Sequence, residues 1–194
     1  MTTLSQPGYR RALWIVALLN AGYGVVEMAG GLLSGSQALK ADALDFIGDG
    51  LITFLGIVAL LWRPEVRARV ALIQGLFLGA LGLGVLATTA FRILVAREPD
   101  AEVMGVLGAV GLAINLAAAA VLIPYRSGDV NVRAVWLFSR NDALGNIAVV
   151  IAAGFVALTS TPWPDLVVAV IIAGLFLQSS WSIVRKALLK LKEG

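Results

Sequence analysis

The chain has 194 residues, of which 59% are hydrophobic and only 14% charged, with a mean hydropathy of +0.90 and a net charge of +3. A soluble domain carries about 25% charged residues, so this composition excludes an ordinary water-soluble fold and points to membrane-spanning segments. With no Cys and no His, disulfides, thiolate nucleophiles, Ser-His triads and imidazole metal ligands are excluded as well.

A bilayer span takes about 20 apolar residues. Six stretches qualify: 12–34, 39–62, 68–95, 102–124, 133–158 and 164–187. The first is too long for the core of a signal peptide and leads into a second hydrophobic stretch, so it reads as a span. Pro64, Pro99, Pro162 and Pro164 fall in or beside the connections, where helix breakers belong. Arg10 and Arg11 precede span one, Arg63, Arg67 and Arg69 follow span two, Arg126 and Arg133 follow span four, and Arg185, Lys186, Lys190 and Lys192 close the chain. The alternate connections hold little more than Lys40 and Arg97, beside Glu98, Asp100, Glu102 and Asp165. Lys and Arg collect on the cytoplasmic side. The expected fold is therefore all-α: a polytopic membrane protein, a six-transmembrane-helix bundle with both termini cytoplasmic. Residues 1–11 form a cytoplasmic N-terminal segment, 12–188 the transmembrane domain and 189–194 a short cytoplasmic tail, with no second domain expected. The basic residues are explained by this topology, and no nucleic-acid partner is expected.

Ionisable groups inside a span cost about 2.5–3.5 kcal/mol or more at the centre, so they mark function. Here they are Glu27, Asp42, Asp45, Asp49, Arg92, Arg140 and Asp142, with Asn20, Asn115, Asn141 and Asn146 as neutral polar company. Asp45 and Asp49 are four residues apart and share a helix face, where like charges repel. Span two runs inward and Asp49 lies ~15 Å below its outer end; span five runs outward and Asp142 lies ~14 Å above its inner end. In a hydrocarbon core of about 30 Å, both depths fall near the midplane. Asp45, Asp49 and Asp142 on facing helices would have to bind a cation or hold protons, which is the chemistry of cation/proton exchange. Alternating-access carriers place their substrates at such midplane sites.

The other polar groups have plainer readings. Asp42 follows a Ser-Gly-Ser loop and is expected to cap or trim the start of span two, with a place on the ion pathway as the alternative. Glu27, level with Asp45, is a packing residue or part of the pathway. Asn20 and Asn115 read as interhelical hydrogen-bond partners, with an approach to the bound cation as the alternative. Arg140 snorkels inward or pairs with an acid. Ala71, Gly75 and Gly79, followed by Gly82 and Gly84, form a small-residue line on span three that serves either internal packing or a dimer face. Gly48 and Gly50 flank Asp49 and leave room for a backbone or an ion.

These residues resemble the first two spans of the cation diffusion facilitator (cation efflux) family: Asn20, Glu27, Gly31, then Ser34-Gly35-Ser36-Gln37-Ala38-Leu39-Lys40-Ala41-Asp42, Asp45 and Asp49. Asp142-Ala143-Leu144-Gly145-Asn146 is similar to that family's fifth-span run, and Gly111 to Asn115 to its fourth-span motif. The resemblance implies a homodimer and a tetrahedral metal site shared by spans two and five, with Asp45, Asp49 and Asp142 as ligands and as the proton-coupling groups. The other fifth-span ligand of the family would fall on Phe138, which cannot ligate; water, Asn20, Asn141 or Asn146 would complete the site. The family's cytosolic C-terminal domain is expected to be missing.

The function implied is export of a divalent transition metal, zinc first and cadmium beside it, from the cytoplasm in exchange for protons, with no resident cofactor and no enzyme activity. The partners are the lipid bilayer, the metal ions and protons, and a second copy of the chain, in a bacterial inner membrane. An all-oxygen site leans toward manganese or iron(II), while family habit favours zinc, which also accepts carboxylates. The alternatives are a non-transporting relative, given Phe138, and more remotely an intramembrane aspartyl protease, of whose motif Ile47-Gly48-Asp49-Gly50 is a faint echo.

Overall fold

The computed structural model describes residues 7–58, 62–95, 97–125 and 130–192; the side chains of residues 7 and 130–141 lie outside that description. Among the described residues there are six α-helices, one short 3-10 turn at Ile123–Tyr125 and no strand. The helices are α1 (Pro7–Ser34), α2 (Gln37–Val58), α3 (Pro64–Val95), α4 (Ala101–Leu122), α5 (Val130–Thr159) and α6 (Trp163–Lys192). Each expected span coincides with one of them.

The differences lie at the ends and have local causes. The third helix begins at Pro64 rather than 68, because proline at the first helical position has no N–H to lose and a φ already suited to the turn. The last helix continues to Lys192, through most of the stretch expected to be a tail; Lys190 and Lys192 sit in its final turn, where cations complement the helix dipole. Gly35, at φ +76°, turns the chain out of α1, a conformation that favours glycine. Asp100 caps α4 by accepting from the backbone N–H groups of Glu102 and Val103 at 3.0 and 3.1 Å. Its own N–H donates 3.0 Å to the Ser34 carbonyl, tying the start of α4 to the end of α1.

Among the described residues, five helices are long and apolar enough to cross a bilayer, and α2 is not one of them. Lys40, Asp42, Asp45 and Asp49 spoil its apolarity, because every 18-residue stretch of α2 contains at least three of these four charges. The six helices expected are all present, and five of them carry the composition of a span by themselves among the described residues. The sixth helix sits in the same bundle because its neighbours α1, α3, α5 and α6 pack around it, which is how charged helices are tolerated at membrane depth. Outside, apolar side chains such as Leu33, Leu94 and Leu158 are more than 80% exposed, as a lipid-facing surface requires.

The helices pair as α1 with α2, α4 with α5 and α3 with α6. Small residues set the closest approaches. A Cβ on Gly50 would stand 2.7 Å from the Ala21 backbone nitrogen, so α1 and α2 touch backbone to backbone. The small-residue line of α3 faces α6: a Cβ at Gly75 would meet Val184 at 2.8 Å, and one at Gly79 would meet the Ser180 Oγ at 2.9 Å. Ser180 also donates a 2.7 Å hydrogen bond to the Gly75 carbonyl. Of the two readings of that line, the structure realises internal packing.

Asp165, at the start of α6, is buried and accepts from the Ser36 hydroxyl at 2.5 Å and from the N–H groups of Gln37 and Ala38 at 2.8 and 3.0 Å. Ser36 Oγ in turn accepts from the Leu39 N–H at 3.0 Å. The N-terminus of α2 is thus capped from another helix. Asp165→Ala leaves those donors buried and unpaired, and is expected to cost about 1–3 kcal/mol of stability. Thermal unfolding in detergent measures it; an unchanged midpoint would show that the cap contributes nothing.

Candidate functional site

Two apolar clusters bracket the middle of the bundle. One comprises Tyr9, Leu13 and Val16 of α1, Ile57 of α2, and Ala118 and Leu122 of α4. The other gathers Leu39 and Leu44 of α2 with Leu78, Met104, Val149 and Phe176 from the remaining helices. Between them lies a tight polar cavity with no free space for a water molecule, lined by Asn20 of α1, Asp42, Asp45, Phe46 and Asp49 of α2, Asn115 of α4 and Asp142 of α5.

The sequence expected Asp45, Asp49 and Asp142 at one depth, and the fold brings all three to this cavity. Asp142 faces Asp45 and Asp49 across it. Helical geometry explains the arrangement. The i, i+4 spacing points both α2 acids the same way, and α5 runs past that face. Among the described residues, no three acidic groups are gathered tightly enough to be a finished metal-ligand set. The carboxylates line the cavity walls without closing on a common point.

Asp42 also lines the cavity, with Oδ2 buried and without a hydrogen-bond partner. The expectation that it caps α2 is corrected: Ser36 and Asp165 do that work one turn earlier. Glu27 is fully buried on α1 beside Asp42, and neither of its oxygens makes a hydrogen bond of ordinary geometry. It does not line the cavity, and it stands one helix turn beyond Tyr23, whose hydroxyl donates to the Leu107 carbonyl and whose ring packs edge-on against Phe46 at 4.9 Å.

Of the neutral candidates, Asn20 reaches the cavity with Oδ1 buried and unpaired. Asn146 does not line it. Its amide Nδ2 donates 3.0 Å to the Asp142 carbonyl, and its Oδ1 points at α4, where a Cβ on Gly111 would collide with it. Asn141, Phe138 and Arg140 lie outside the described side chains. The expectation that Asn115 is an interhelical hydrogen-bond partner is corrected: it borders the cavity and neither side-chain atom has a partner. Its place in the Gly111-to-Asn115 run was the signal. Phe46, one residue from Asp45, gave no signal, because an aromatic in an apolar helix reads as packing.

An unpaired buried polar atom costs about 1–3 kcal/mol, and Asn20 Oδ1 and both polar side-chain atoms of Asn115 carry that cost at the cavity. Carboxylates and amide oxygens together make an all-oxygen donor set suited to a hard or borderline divalent cation.

An all-helical bundle with an apolar exterior and buried acids at its centre is the build of a polytopic membrane protein. The chain matches the model of the cation efflux transmembrane domain over residues 13–191, and it belongs to that family. It is 27% identical to the metal cation efflux system protein CzcD of Cupriavidus metallidurans, over 96% of this chain and 63% of that protein. It is 29% identical to the zinc transporter ZitB of Pectobacterium atrosepticum, over 98% of this chain and 63% of that protein. It is 25% identical to a cadmium, cobalt and zinc/H(+)-K(+) antiporter of Bacillus velezensis, over 95% and 64% respectively. The chain thus spans a little under two thirds of the length of these relatives. The family expected from the motifs is the family found.

Asn115→Leu separates the cost of the site from its use. Removing two unpaired buried polar atoms is expected to raise stability by about 1–3 kcal/mol while weakening zinc binding. Detergent melting and zinc calorimetry on the same preparation read both; a destabilised variant with unchanged zinc affinity would make Asn115 a packing residue.

Proposed function

We propose that the chain exports a divalent transition-metal cation from the cytoplasm, zinc foremost and cadmium with it, in exchange for protons. The observation that carries this reading is the meeting of Asp45, Asp49 and Asp142 from two helices in one small cavity between apolar clusters. Three carboxylates in a low-dielectric interior repel strongly, and a divalent cation or protons must offset them. The ion supplies the attraction that draws the carboxylates together from the cavity walls. Asn20 Oδ1 is the fourth donor that the geometry favours, since it is buried, unpaired and already at the cavity. Asp42 and Glu27, stacked toward the opposite end of α2 from the Tyr9 cluster, mark the route between the site and the outer face.

The same carboxylates serve both substrates in turn: they bind metal when ionised and release it when protonated. In this reading the metal and the protons cannot occupy the site together, which couples their fluxes. Arg and Lys at the starts of α1 and α3 and at the end of α6 support a topology with both termini in the cytoplasm, and the bacterial relatives support an inner membrane. A second copy of the chain pairs through transmembrane helices. The relatives named for zinc and for cadmium, cobalt and zinc support the choice of metal. The all-oxygen donor set favours manganese or iron(II) as the second reading.

Reconstituted into liposomes, the protein is expected to move zinc against an imposed proton gradient, and Asp49→Asn to reduce that flux to the level of empty vesicles. Flux equal to wild type would remove Asp49 from the site, and flux indifferent to the proton gradient would replace exchange by simple conduction. A parallel panel of cadmium, manganese and iron(II) ranks the metals.

A further inference from the structure

A second, larger concavity lies at the other side of α2. It is a groove of about 800 Å³ between the C-terminal half of α2, the first turns of α3 and the last turns of α6. The antiparallel register of α3 and α6 fixes its level. Gly82 meets Leu177, Gly79 meets Ser180 and Gly75 meets Val184, so each step toward the start of α3 is a step toward the end of α6. The groove therefore opens at the end of the bundle where α3 begins and α6 stops. Exposed Trp62 stands two residues before α3, and tryptophan at a helix end marks the level of lipid headgroups.

Its lining divides by chemistry. Arg67 of α3 and Lys186 and Lys190 of α6 supply three positive charges, against one acid, Glu65. Lys186 and Lys190 are one turn apart on the same face of α6. The opening turn of α3 adds the positive end of a long helix dipole. The walls are apolar, with Ile52 and Leu55 of α2 and Ile183 of α6. Within the groove Gln74 presents a buried Nε2 that has no hydrogen-bond acceptor. This charge balance favours an anion over a divalent cation. A basic mouth over apolar walls at headgroup level fits a molecule with an anionic head and a hydrocarbon tail.

We propose that this groove binds an anionic phospholipid, its phosphodiester held by Arg67, Lys186 and Lys190 and one acyl chain lying between α2 and α6. A lipid seated there bridges the acid-bearing helix to the α3–α6 pair. The inference concerns a surface apart from the metal cavity and does not depend on what the cavity carries.

The test reads lipid rather than flux. Purified protein in detergent is exposed to equal amounts of phosphatidylglycerol and phosphatidylcholine and examined by native mass spectrometry. The wild-type chain is expected to retain phosphatidylglycerol at least tenfold in preference. The triple variant Arg67→Gln, Lys186→Gln and Lys190→Gln is expected to lose the preference. A control carrying Arg10→Gln, Arg11→Gln and Arg69→Gln removes as much charge from the same end and is expected to keep it. Ala71→Phe, which keeps every charge and fills the groove, is expected to lose the lipid as well. No preference in the wild type, equal loss in both triple variants, or full retention by Ala71→Phe would each overturn the groove as the site. Displacement of the lipid by glycerol phosphate at equal concentration would show that the tail makes no contribution, and would overturn the lipid as occupant.

Discussion

Acids buried far from water dominate this structure, and the rest of the bundle can be understood as the means of keeping them there. Asp42, Asp45 and Asp49 ride on one helix, and Asp142 is carried to them by another. Such a helix does not belong in hydrocarbon, and among the described residues α2 is too rich in charge to be a span by itself. It is surrounded instead. Close backbone contact with α1 at Gly50 and Ala21, the cap from Asp165, and the packing of Phe176 over Gly48 hold it at the centre. Apolar clusters on either side of the cavity complete the isolation.

How much of this was readable beforehand follows from how local each signal is. Hydropathy runs located every helix to within a few residues, because a lipid-facing surface demands apolar side chains over a fixed length. The i, i+4 pair Asp45 and Asp49 declared its face through helical geometry alone, and depth counting brought Asp142 to the same level. The carboxylate half of the cavity was therefore legible. The Gly75 and Gly79 line was readable as a contact surface but not as to its partner, since small residues say that something approaches closely and nothing about what it is. Only the tertiary pairing of α3 with α6 decides that.

What escaped the sequence depends on partners distant along the chain. Asp165 looked like one more acid in an outer connection, and its three hydrogen bonds to residues 36–38 could not be read from its neighbours. Asp42, following a Ser-Gly-Ser turn, carried a local capping signal stronger than its real place in the cavity. Asn115 passed for an ordinary interhelical donor because lack of a partner is a property of the assembled interior. The groove bounded by Arg67, Lys186 and Lys190 was hidden for the same reason. Those charges were accounted for by topology, and only the antiparallel register of two helices shows that they share a mouth.

The bond between Asp165 and the beginning of α2 joins two groups of helices that otherwise meet mainly through apolar contact. One carboxylate holds a hydroxyl and two peptide hydrogens, so it acts as a pivot: tilting is easy about such a point, whereas separation breaks three bonds at once. Any displacement of α6 away from α2 at this end must break all three together, so the first turns of the two helices are held as one unit.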